Sequence, residues 1–217
     1  MKADMNVRYL FAALLVTTGV SAQAATITWN QWSSGTAGAM GPVAVGFSAG
    51  GNPAALVANY PSWTPASTWA DGSVVDNGPA QSGGIIQLYG GTANVNTLTF
   101  STAIINPVFA IWSLGNPGSS ASFDFIGATP VFVAGGPNAE YGGSSISISG
   151  NSVSGKEGNG TVMFVGTYSS LSWTNPTYEG WYGFNVGMTA AVPEPETYAL
   201  MLAGLGVIGM LARRRRA

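Results

Sequence analysis

From Ala25 to about Ala191, turn residues interrupt the chain so often that only short elements fit between them. Apolar or alternating runs are separated by Gly, Ser, Asn and Pro about every 8 to 12 positions, the rhythm of an all-β sandwich or barrel. The candidate strands are Thr26–Trp32, Pro42–Phe47, Ile85–Tyr89, Val95–Phe100, Val108–Leu114, Ala121–Ile126 and Val131–Ala134, followed by Ser145–Ser149, Ser152–Ser154, Thr161–Tyr168, Leu171–Trp173 and Tyr182–Met188. No segment of this body carries a long helical period, although Ala54–Asn59 has room for one turn. Gly150-Asn151 supplies the positive φ of a two-residue hairpin turn. That hairpin would gather Ile146, Ile148 and Val153 on one face and serines on the other. The expected fold is a single jelly-roll-like β-sandwich over residues 25–191, a length suited to one core.

Gly50–Gly84 breaks the rhythm, with Pro53, Pro61, Pro65 and Pro79 and few alternating runs. It reads either as a long excursion over one end of the sandwich or as a loop holding a short strand near Val74-Val75. Loops of this length are often functional. Tyr60, Trp63 and Trp69 stand within it.

Charge and residue usage narrow the chemistry. The chain has no Cys and no His, which excludes disulfides and thiolate metal sites. It also removes the commonest general base and the usual partner of a nucleophilic serine. Between residues 25 and 191 Lys156 is the one cation, against Asp71, Asp76, Asp124, Glu140, Glu157 and Glu179, for a formal charge of −5. Such a body has no basic patch for nucleic acid, and none is expected as a partner.

Both ends look like addresses. Lys2 and Arg8 precede an apolar run from Tyr9 to Val20, and Ala22-Gln23-Ala24 offers small residues for signal peptidase, with cleavage before Ala25. Residues 1–24 are therefore expected to be a secretory signal peptide. At the other end, the prolines of Val192-Pro193-Glu194-Pro195 favour an extended, accessible segment. Tyr198–Ala212 follows without a charge, then Arg213, Arg214, Arg215 and Arg216. As a helix the apolar run spans about 22 Å, and Tyr198 and snorkelling arginines extend its reach towards a transmembrane helix. The arginines are expected to stay cytoplasmic, with the proline segment on the far side.

This three-part order resembles the PEP-CTERM sorting domain of Gram-negative bacteria. The resemblance implies a substrate of exosortase, a membrane-embedded cysteine transpeptidase. It implies that Val192, Pro193, Glu194 and Pro195 are the sorting motif, that Tyr198–Ala212 is a transient inner-membrane anchor, and that Arg213–Arg216 are the stop signal. Cleavage near the motif would release or transfer the body to the cell surface or extracellular matrix, among extracellular polysaccharide and biofilm components. The segments Leu98–Thr102, Asn106–Gly115, Phe123–Phe125 and Trp181–Gly187 are similar to ectodomain segments of other PEP-CTERM proteins. Those bodies are β-rich and mostly without a known biochemical activity.

Within the body three constellations are candidates. Trp63, Trp69, Trp173, Tyr178, Trp181 and Tyr182 fall in loop-like or strand-end positions and could stack on sugars as a glycan platform, whereas Trp29, Trp32 and Trp112 are assigned to the core. Asp124, Glu140 and Glu179 could supply the acid and base of a glycan-active hydrolase, but no catalytic residue is assigned. Asp71-Gly72 and Asp76-Asn77-Gly78 place oxygens as Ca²⁺ prefers; turn formation is the stronger reading, and no cofactor is expected. Ice binding would need a regular Thr ladder, and Thr26-Ile27-Thr28 and Thr97-Leu98-Thr99 stand apart. The resulting expectation is a non-catalytic exported protein with a structural or glycan-binding role. The alternatives are a hydrolase using paired carboxylates, or a protein anchored by its tail without processing.

Overall fold

The computed structural model describes residues 24–189, 201–205 and 208. The strands are β1 (Ile27–Trp29), β2 (Gln31–Trp32), β3 (Ala37–Met40), β4 (Val43–Ser48), β5 (Ala54–Val57), β6 (Ile85–Leu88), β7 (Thr92–Ile105) and β8 (Val108–Leu114). They continue with β9 (Ala121–Ile126), β10 (Pro130–Gly135), β11 (Ser144–Ser145), β12 (Ser147–Ser149), β13 (Ser152–Gly155), β14 (Gly158–Phe164), β15 (Thr167–Asn175) and β16 (Tyr182–Thr189). They form two eight-stranded sheets. One runs β10-β14-β8-β16-β6-β5, with β1 beside β16 and β11 beside β14; the other runs β12-β13-β9-β15-β7-β4-β3-β2. All these pairings are antiparallel except β11 with β14. The all-β expectation holds, in sandwich form.

The alternating pattern of each strand explains the core between the sheets. Phe109, Ile111, Phe184 and Val186 come from the first sheet and meet Phe47, Leu98, Phe123, Phe125 and Trp173 from the second. Phe109 stacks on Phe184 at 4.8 Å, and Trp173 meets Phe109 edge-on at 5.3 Å, so aromatic contacts tie the layers together.

Every residue of β8 is buried, because the first sheet is covered on its outer face too. Trp63, Trp69 and Val75 from the long irregular stretch pack there with Ile27, Trp29, Ile85, Val108, Ala110 and Trp112. Trp69 Nε1 donates to the Ile111 carbonyl at 3.1 Å, and Thr161 Oγ1 donates to the Trp69 carbonyl at 2.9 Å. The excursion is thus a second layer on the sheet, and around Val75 it forms an isolated bridge to Ala25.

The outer face of the second sheet has a different chemistry. Ser147, Ser154, Ser122, Ser172 and Thr97 carry hydroxyls there, several bonded to one another: Ser147 to Ser154 at 3.0 Å and Thr97 to Ser172 at 3.0 Å. Thr28 lies on β1 of the other sheet, so the two Thr-x-Thr tracts form no common ladder.

One local expectation is corrected. Ala54–Val57 is a strand paired with β6, not a helical turn; pairing beside a buried strand outweighs the weak helical preference of Ala54-Ala55-Leu56. The hairpin forms as expected, with Ile148 opposite Val153 and Gly150 at φ 60°.

Candidate functional site

A bulge in β8 builds the most unusual part of the body. Ile111 pairs with Gly160, but Leu114 pairs with Gly158, so Trp112 and Ser113 together oppose Asn159. Ser113 takes a φ of 57°. The extra residue leaves Trp112 on the outer face and returns Leu114 to the inner core. Asn159 is fully buried and pins this geometry. Its Oδ1 accepts from the Ser113 amide and from Asn138 Nδ2, both at 2.8 Å, and its Nδ2 donates to the carbonyls of Glu157 at 3.0 Å and Gly142 at 3.2 Å.

Three other rings surround Trp112. Tyr60 from the long excursion lies at 5.3 Å, Tyr141 from the loop after β10 at 5.3 Å, and Trp181, just before β16, at 5.0 Å. Tyr60 and Trp181 also meet at 5.6 Å. All four contacts are edge-to-face, as ring quadrupoles prefer. Tyr141 is 63% exposed, so the cluster opens to solvent.

Three carboxylates border these rings. Glu140 accepts the Ser62 amide through Oε1 at 2.8 Å, while its buried Oε2 has no donor. Asn138 Oδ1 fixes the turn by accepting from the amides of Glu140 and Tyr141. Glu157 accepts from Ser113 Oγ at 3.0 Å through Oε2. Glu179 is 8% exposed; its Oε1 accepts the Trp181 amide at 2.9 Å, and its Oε2 is buried without a donor. Burial pushes the Glu179 carboxyl up, the nearby charge of Glu157 adds to the rise, and amides including those of Trp181 and Gly115 oppose it. Burial also pushes the Tyr60 phenol up, with the Tyr141 hydroxyl and the Glu140 charge adding to the effect. Trp112 Nε1 and the Tyr182 hydroxyl are buried without partners as well. Buried polar atoms are normally satisfied; here one oxygen each of Glu140 and Glu179 can still accept a donor and Trp112 Nε1 lacks an acceptor, while Asn30, Trp32, Trp63 and Tyr182 also carry unmatched buried atoms.

Of the six aromatics expected to form a glycan platform, Trp63, Trp69, Trp173 and Tyr182 are core residues. The excursion uses its two indoles to cover the first sheet, and Trp173 and Tyr182 face the layer between the sheets. They present no face to a sugar. Tyr178 is 72% exposed, and Trp181 is half-buried in the cluster. Tyr60 and Tyr141 join Trp181 at the site and were not among the six; Trp112, assigned to the core, is fully buried at its centre. For Tyr141 the signal is an acid beside an aromatic in a loop, Glu140-Tyr141, as Glu179-Gly180-Trp181 is for Trp181; no such signal marks Tyr60.

The three carboxylates considered for hydrolysis do not converge. Asp124 is on the outer face of the second sheet, accepting from Ser152 Oγ at 2.6 Å, whereas Glu140 and Glu179 border the Trp112 cluster. Asp71 closes a turn: it accepts from the Ser73 hydroxyl and from the amides of Ser73, Val74 and Val75. Partial burial works to raise its pKa, but these bonds outweigh it and hold the carboxyl at about 2. Asp76 accepts from Thr26 Oγ1 at 2.7 Å, and the neighbouring Asn77 bonds both backbone groups of Ile27. Among the described residues no three acidic side chains come together to hold a metal ion.

Of the signal-cleavage residues, Ala22 lies outside the described residues. Ala25 is knitted into the fold, its amide donating to the Val74 carbonyl at 3.0 Å. The sorting residues Val192–Pro195 and Arg213–Arg216 also lie outside the described residues. Within the expected anchor, residues 201–205 and 208 are helical, with Met201, Leu202, Leu205 and Ile208 exposed. Among the described residues no helix is long and apolar enough to cross a membrane.

Comparison with protein families settles the tail. Residues 191–216 match the model of the PEP-CTERM protein-sorting motif. The chain carries a PEP-CTERM sorting motif. The match spans the proline segment, the apolar run and the arginines, and it is consistent with an exosortase substrate. The motif implies an exported protein processed at the membrane by exosortase. Comparison of the chain with curated proteins and with solved structures finds no match.

Proposed function

We propose that this PEP-CTERM protein is a non-catalytic component of the cell surface or extracellular matrix, in which the sandwich has a structural or glycan-binding role within envelope or biofilm polysaccharide. The sorting motif at residues 191–216 carries the reading. Signal peptidase would remove residues 1–24, and exosortase would cut near Val192–Pro195 once the apolar run and Arg213–Arg216 had paused the chain in the inner membrane. The ring cluster around Trp112 supports glycan binding, because sugars stack on aromatic rings and hydrogen-bond to flanking carboxylates.

Intact mass of the protein recovered from native cells tests the sorting step. The expected species lacks both residues 1–24 and the tail beyond the proline segment. A Glu194→Ala, Pro195→Ala variant is expected to stay in the membrane fraction. A native mass that still includes Arg213–Arg216 would mean that the tail is an anchor only.

A further inference from the structure

We propose that the Trp112 cluster binds a positively charged amine, and specifically the protonated amino groups of a de-N-acetylated amino-sugar glycan. The inference rests on the glycan-binding reading and names its ligand class. Glu140 and Glu179 each hold a buried carboxylate oxygen that makes no hydrogen bond of ordinary geometry within the protein, although the Gly115 amide lies close enough to act on Glu179, which is more than nine-tenths buried. A ligand that completes this site must bring N–H or O–H donors, and charge-assisted donors bind carboxylates most strongly. Tyr60, Tyr141 and Trp181, packed around the fully buried Trp112, supply the second half of the recognition, since ring faces attract cations through their quadrupoles.

The protein brings little positive charge of its own to this site. Lys156 is the sole basic residue between residues 25 and 191 and is exposed, and the body's charge of −5 draws cations towards it. A small inorganic cation fits less well, because the described acids do not gather in threes around one point. Carboxylates set among rings suit an extended organic ligand whose amines recur along a chain. An anionic glycan would meet repulsion from Glu140, Glu157 and Glu179.

The test is titration calorimetry of the full-length protein in neutral detergent with a glucosamine hexamer, its fully N-acetylated counterpart and a neutral glucose hexamer of the same linkage, near neutral pH, so that a carboxyl with a raised pKa is kept ionised. The amine hexamer is expected to bind about tenfold or more tightly than either uncharged one. Glu179→Gln and the exposed Tyr141→Ala are expected each to weaken it by about tenfold, with thermal midpoint and near-ultraviolet circular dichroism confirming the fold. Tyr141→Ala keeps the test open if the buried Glu179 variant does not fold. Equal binding of all three hexamers that Tyr141→Ala abolishes would overturn the charge assignment and leave the glycan reading standing. Amine binding that survives both variants would overturn the site, placing the contact on the general acidic surface. No binding of any hexamer would overturn the amine inference and remove the support that this cluster lends to glycan binding.

Discussion

Asn159→Ala tests whether the bulge that presents Trp112 is held by one buried side chain. Asn159 makes four hydrogen bonds, and the consequences of losing them differ. The Gly142 carbonyl keeps the Asn138 amide as a donor, and the Glu157 carbonyl keeps the Ser144 amide. The Ser113 amide and Asn138 Nδ2 lose the acceptor they share inside the protein. An orphaned buried donor costs about 1–3 kcal/mol, so two place the loss at about 2–6 kcal/mol. Water entering from the open side of the cluster lowers this, and about 3 kcal/mol is expected. Guanidinium unfolding followed by tryptophan fluorescence should show a lower midpoint with an unchanged slope. Near-ultraviolet circular dichroism should weaken as Trp112 loses its fixed neighbours. Asn138→Ala and the double variant complete a cycle, in which the shared bond should appear as a coupling of at least about 0.5 kcal/mol. A loss below about 1 kcal/mol with an unaltered near-ultraviolet spectrum would refute the argument that Asn159 fixes the bulge.

Trp69→Ala should destabilise the protein by about 3–5 kcal/mol, because the ring is fully buried and its indole nitrogen holds the Ile111 carbonyl; limited proteolysis should then cut first within residues 58–84. Glu179 binds its proton more tightly folded than unfolded, so its contribution to stability is full below its ordinary value of 4.5 and declines as pH rises from there through the raised folded value. Glu179→Gln should flatten that decline in a series of unfolding curves against pH, and an unchanged pH profile would contradict the burial assigned to this carboxyl. Asp71 has the opposite sign: its contribution is present above its ordinary 3.8 and is lost as pH falls towards about 2, and Asp71→Asn should remove this small acid-side term.

The sequence made the sheet strands legible where burial alternates or is complete. Val108–Leu114 and Ala121–Ile126 match β8 and β9 end to end, since apolar residues define those strands in both faces and in one face respectively. β3 escaped notice because Ala37-Gly38-Ala39-Met40 has no β-branched residue and forms only beside β4. The aromatics were legible as a group but not individually. Whether Trp69 or Trp181 meets solvent depends on the excursion folding over the first sheet, a contact between residues far apart in the chain. The same holds for the hydroxyls of the second sheet: Thr97-x-Thr99 is isolated in the sequence, yet Ser170 and Ser172 stand beside it once β15 pairs with β7. The sorting tail was legible in full because its information is local and ordered along the chain, and the family match covers the same residues.

The distribution of charge is the strongest sign that the Trp112 cluster does more than fill space. The six carboxylates between residues 25 and 191 divide into two kinds. Asp71, Asp76 and Asp124 each serve a nearby turn, strand or hydroxyl. Glu140, Glu157 and Glu179 instead border one set of rings, where burial and the charge of Glu157 both disfavour the charge of Glu179. A fold selected for stability alone would favour Gln over buried Glu179, since Gln can still accept the Trp181 amide without burying a charge. Two of the three also leave a buried oxygen unmatched. In the proposed processed form the arginines of the tail are gone, and Lys156 and the new α-amino group of Ala25 are the cations left in the mature chain. The surroundings are the larger source of positive charge, and the one ring of the cluster that stands well out into solvent is Tyr141, next to Glu140 in the chain.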